Sequence, residues 1–203
     1  MSLAKIMQSV DRTPRDEVLP VVERKQLTVK DCVGDVVRHW FTDRGKVRLI
    51  LTVGMGEWER DSFIAQLKMR VPDVVVCAAD DYFITADGQY KFDPKQLTTA
   101  HAKCQTKAYD ALRAGKFVVV ANKNCELQHI MEYSSYGSRL KFYESTLIIK
   151  FMPKSAAAAV ALGINNAKNI PTSVYSTAYE SMQNLTITRE HLPKLEAVMT
   201  VCE

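Results

Sequence analysis

Short apolar runs that alternate with helix-patterned segments constrain this chain more than any other property. Phe117–Ala121 is apolar throughout, as expected of a strand covered on both faces. Val47–Val53, Val74–Cys77 and Tyr143–Phe151 are predicted as further strands. Between them, Glu59–Arg70 and Glu126–Arg139 are predicted as helices. A third helix opens at Asp93-Pro94, a capping residue followed by proline at the first helical position, and runs to about Ala114, where Gly115 ends it. Thr28 caps an earlier helix whose Val29, Val33, Val36, Val37, Trp40 and Phe41 share helical spacing. Beyond the last strand, Ser155–Leu162 and Thr172–Asn184 read as helices, and residues 189–203 as a final one. Strands alternating with helices predict a three-layer α/β domain, a mostly parallel sheet with helices on both faces.

The expected organisation is a polar N-terminal arm over residues 1–26, with Pro14 and Pro20, and a domain over 27–203. The core of that domain is placed at 47–151 and its C-terminal helices at 152–203. The arm is either flexible or an irregular covering strand. At 203 residues and 47% hydrophobic content, the chain has the material for a real core. A net charge of +4 suits an anionic ligand but is far from that of a nucleic-acid-coating protein. Cys32, Cys77, Cys104, Cys125 and Cys202 form no C-x-x-C pair, and the four histidines lack ligand spacing, which argues against a disulfide framework or zinc site. The N-terminus has no long apolar stretch, so the expectation is a cytoplasmic or nuclear protein with no membrane partner.

One turn carries chemistry. After the strand Val47–Val53, the sequence Gly54-Met55-Gly56-Glu57-Trp58-Glu59-Arg60-Asp61-Ser62 leads into a helix. Nucleoside-triphosphate enzymes place G-x-x-x-x-G-K-[ST] at such a turn, because glycines let backbone N–H groups approach phosphate. Gly54 keeps the first glycine. Glu59 replaces the second, Arg60 the lysine and Asp61 the hydroxyl residue. Candidate phosphate-binding residues are therefore Gly54, Gly56, Arg60, Asp61 and Ser62, with Asp61 the one candidate magnesium ligand.

Downstream come Asp80-Asp81-Tyr82-Phe83, then Gly88, Tyr90 and Phe92-Asp93, then Ala100-His101 and Cys104, then Val118-Val119-Val120-Ala121-Asn122-Lys123-Asn124. This series resembles the P-loop kinases of the polynucleotide 5′-hydroxyl kinase and zeta-toxin-like group, over about Val47–Phe151 and more faintly to Pro171. The resemblance implies a P-loop NTPase-like fold. It implies that Asp80 accepts the proton of an attacking hydroxyl, with Asp81 holding the loop or the acceptor. His101, Asn122, Lys123 and Asn124 fall at the acceptor side and strand end.

Three departures set the functional expectation. A carboxylate about 5 Å from a phosphate charge costs roughly 3 kcal/mol at an effective dielectric of ~20, so Glu59 and Asp61 oppose triphosphate binding. The strand end reads Ala121-Asn122-Lys123-Asn124, where the group has an acidic residue first. In the lid, Asn165 stands at the place of an arginine, leaving Lys168 as the nearest cation. The leading expectation is a degenerate, catalytically impaired domain that binds a nucleotide, nucleic acid or protein partner. The first alternative is an active ATP-dependent kinase with Mg-ATP as cofactor, acting on a nucleic-acid 5′-hydroxyl or a nucleotide. The second is a structural subunit docked through residues 1–26.

Overall fold

The computed structural model describes residues 21–42, 47–55, 59–139, 145–164, 166–192 and 194–202. Among the described residues, six strands form one parallel sheet: β1 (Val22–Leu27), β2 (Val47–Val53), β3 (Val75–Cys77), β4 (Val118–Val120), β5 (Ser145–Phe151) and β6 (Leu195–Val201). Their spatial order is β1-β6-β5-β2-β4-β3. Among the described residues, six α-helices connect them: α1 (Val29–Thr42), α2 (Glu59–Arg70), α3 (Leu97–Arg113), α4 (Leu127–Arg139), α5 (Ala156–Ile164) and α6 (Thr172–Asn184). Among the described residues no helix is long and apolar enough to cross a membrane.

Side chains alternate across the strands, so the two sheet faces build separate cores. On one face Leu49, Leu51, Val118, Val120 and Ile148 pack against Ala100, Cys104 and Ala108 of α3, Ile130 of α4 and Met182 of α6. On the other, Ile50, Val119, Leu147 and Ile149 pack against Val33 and Val36 of α1 and Phe63 and Leu67 of α2. The domain is thus a three-layer α/β sandwich, in agreement with the alternation read from the sequence. The Asp93 carboxylate accepts the Lys95 N–H at 2.9 Å, as a cap there requires. Pro94–Gln96 is a single 3-10 turn, and the α-helix proper begins at Leu97.

Two expectations are corrected. Residues 189–203 do not form a helix: Leu195–Val201 is the strand β6, between β5 and β1. Both of its faces are covered, so Leu195, Ala197, Val198, Met199 and Val201 are all buried. A strand buried on both sides shows no period of two, and its apolar residues mimic a helix face. The polar arm also ends earlier than residue 26, because Val22–Leu27 pairs in parallel with β6. Its run Glu23-Arg24-Lys25 is what a protected sheet edge carries, since charge discourages pairing with other chains. Residues 1–20 lie outside the described residues.

Ile148 is fully buried in the central part of the sheet, whereas Lys25 lies on the edge strand, paired with Glu23 on the surface. In urea unfolding, Ile148→Ala is expected to cost about 3 kcal/mol. Lys25→Ala is expected to stay within ~0.5 kcal/mol.

Candidate functional site

The carboxyl ends of β2, β3, β4 and β5 converge where open parallel sheets bind ligands. Gly54 follows β2 with φ +126°, a conformation that side chains rarely adopt. Its N–H donates to the Lys123 carbonyl at 2.8 Å. A Cβ at this position would stand 2.6 Å from the Phe151 carbonyl oxygen and 3.2 Å from the Met182 sulfur. The first glycine is therefore fixed by close packing as well as by its dihedral. Gly56 and Trp58 lie outside the described residues.

Glu59 and Asp61 place two carboxylates in the first turn of α2. Between them, the Arg60 side chain is only 11% exposed, and its Nε lies 3.6 Å from an Asp61 carboxylate oxygen. That Nε is buried without a hydrogen-bond partner. Asp61 is open to solvent, with a side-chain exposure of 58%. The Ser62 hydroxyl faces outward and accepts from Gln66 Nε2 at 3.2 Å.

After β3 the chain turns through a short 3-10 segment, Ala79–Phe83, that presents Asp80 and Asp81. Both Asp80 oxygens are engaged: one is ion-paired with Lys168, and the other accepts from the Tyr90 hydroxyl at 3.3 Å. The Lys168 ammonium also lies 5.1 Å from the centre of the Tyr90 ring. Asp81 pairs with Lys107 at 3.2 Å on the surface. Phe83 is buried and meets the rings of Tyr82, Tyr90 and Phe92 edge-on, which ties the aspartate turn to the following hairpin. Gly88, at φ +79°, makes the hairpin's bend.

The strand-end asparagines face inward. Asn122 Oδ1 accepts the Ala79 N–H at 2.8 Å, and its Nδ2 donates to the Tyr133 hydroxyl at 3.0 Å. Asn124, at φ +43°, donates from Nδ2 to the Thr52 carbonyl at 2.9 Å. The Thr52 hydroxyl in turn donates toward the Val120 and Asn122 carbonyls. These side chains hold β2, β3 and β4 together at the mouth of the site. The Lys123 side chain is exposed, and its contribution to the frame is the carbonyl that receives Gly54. His101 on α3 is half-buried. Burial, and then His129 nearby, lower its pKa, against the pull of Glu132 and Asp80.

The structure thus brings Asp80 and Lys168 into direct contact and orders Gly54 and Lys123 against each other. It turns Asn122 and Asn124 away from solvent. Asn165 lies outside the described residues. Tyr90, Tyr133, Thr52 and Lys107 are the participants that sequence reasoning missed as site residues. Tyr90 carries a sequence signal only as a matched position of the kinase-like series, and Lys107 carries none. Cys77 and Cys125 are buried and free, and burial pushes their thiols up to about 12 and about 11, so they are unreactive at neutral pH.

Residues 56–58 of the glycine turn lie outside the described residues, so their N–H groups are not among those placed here. The Gly54 N–H is already bonded, the Ser62 hydroxyl faces outward, and Asp61 lies against Arg60. Among the described residues no group of three or more acidic, histidine or cysteine side chains could hold a metal ion.

No family model matches the sequence. Human NEDD4-binding protein 2 is 30% identical to it over 142 residues, which is 67% of this chain and 8% of that protein. The chain therefore spans a small part of that relative's length.

Asn122→Ala removes the partner of the buried Ala79 N–H and of the Tyr133 hydroxyl. It is expected to cost about 3 kcal/mol in urea unfolding. Lys123→Ala, at an exposed side chain, is expected to stay within ~0.5 kcal/mol.

Proposed function

We propose that this chain is a degenerate relative of the polynucleotide-kinase-like P-loop enzymes, a binding domain in which phosphoryl transfer is lost. The observation that carries this reading is the charge at the start of α2. Phosphoryl transfer depends on cations and N–H groups gathered around the phosphates. Here the first turn presents Glu59 and Asp61, and the one cation between them lies against Asp61. Each such carboxylate opposes a phosphate by roughly 3 kcal/mol at about 5 Å.

The retained frame supports a binding role. Nucleotide, nucleic acid and protein ligands all fall within the proposal. The name of the human relative records a protein partner, NEDD4, and a protein ligand for this chain is proposed on that footing. One observation favours the alternative of an active kinase: the Arg60 guanidinium is nearly buried beside the glycine turn, with Nε unbonded. An anion at that position would satisfy it.

Calorimetric titration with Mg-ATP separates the two. The wild type is expected to show no binding up to about 1 mM. Glu59→Gly combined with Asp61→Ser is expected to gain at least ~100-fold in affinity through relief of charge repulsion. Micromolar binding by the wild type would sink the degenerate reading and favour the active one.

A further inference from the structure

We propose that Lys168, Asp80 and Tyr90 form a latch that ties the α5–α6 loop to the strand-end carboxylate and the hairpin after it. The loop is built as a lever. Gly163 near the end of α5 sits so close to α6 that an added Cβ would stand 2.7 Å from the Tyr175 ring and 3.2 Å from the Thr172 Cα. The Asn166 side chain then closes the loop on itself. Its Nδ2 donates to the Gly163 carbonyl at 2.7 Å and the Ile170 carbonyl at 2.8 Å, and its Oδ1 accepts the Ile170 N–H at 2.7 Å. Asn169 takes φ +55°, the left-handed conformation that asparagine tolerates.

These bonds fix the backbone on both sides of Lys168 and leave its ammonium to reach across the site. There it meets two partners on two segments, the Asp80 carboxylate of the 3-10 turn and the Tyr90 ring of the hairpin. The Tyr90 hydroxyl closes the triangle by donating to the other Asp80 oxygen. Lys168 is 24% exposed and Asp80 45%, so the pair is partly shielded from solvent, and the ring adds a second attraction to the same cation. The loop, the hairpin and the aspartate turn are thereby coupled through one ammonium group. Any anionic ligand entering the site would compete with Asp80 for that group. The latch stands whether or not the domain binds phosphate.

Hydrogen exchange read by mass spectrometry tests it on the full chain. Lys168→Met and Asp80→Asn are each expected to speed amide exchange about tenfold in two segments, residues 166–170 and residues 84–90. The double variant should exchange no faster than either single one, because both remove the same coupling. Asn166→Ala should speed exchange in 166–170 only, since it loosens the loop without touching the ion pair. Should a latch variant fail to fold, the wild type in about 1 M salt, where the Debye length shrinks to about 3 Å, should exchange faster in 166–170 than at low salt. Unchanged exchange in Lys168→Met, or additive effects in the double variant, would overturn the latch. So would salt-independent exchange in the wild type.

Discussion

The site depends on one buried amide. Asn122 stands buried at the end of β4, where the aspartate turn, α3 and α4 meet. Its carbonyl oxygen takes the Ala79 N–H that opens the aspartate turn, and its amide nitrogen gives a bond to Tyr133 of α4 and lies 3.5 Å from the Cys104 sulfur of α3. A buried polar group left unpaired costs more than its bond contributes when made, so this residue holds its neighbours by the penalty of losing it. Asn124 and Thr52 extend the same device to β2. The glycine turn rests on it in turn, because Gly54 donates to the carbonyl of Lys123, between the two asparagines.

On this neutral frame the charges stand in unusual places. The helix start that would face a phosphate carries two carboxylates, and the carboxylate that would face an acceptor hydroxyl carries a lysine. The frame and the charges are separable. Buried amide bonds and apolar packing keep the shape of the mouth, whereas the side chains that would set ligand affinity lie at its partly exposed rim. Charge at such a rim can change without loss of fold, which is how a scaffold keeps its architecture while its chemistry drifts.

Much of the fold was legible because the central strands are covered on both faces and written as apolar runs. The sheet's far side was not. β6 is covered on both faces, so its sequence carries no alternation, and β1 is so charged that it resembles a tail. In the site, the order of aspartates, aromatics and asparagines located the strand ends correctly. Which way an asparagine points is decided by the donors and acceptors around it, and these come from distant segments, so Asn122 and Asn124 read as site-facing from the sequence. The Asp80–Lys168 contact joins residues 88 positions apart. Sequence spacing cannot pair such residues, although it did single out Lys168 as the nearest lid cation.

The proposed function holds that the frame persists while phosphoryl transfer is lost. The most direct measurement is transfer of labelled γ-phosphate from Mg-ATP to an oligonucleotide 5′-hydroxyl, with Asp80→Ala as the control. The wild type is expected to transfer no more label than the control. Label transferred by the wild type and lost in Asp80→Ala would contradict it.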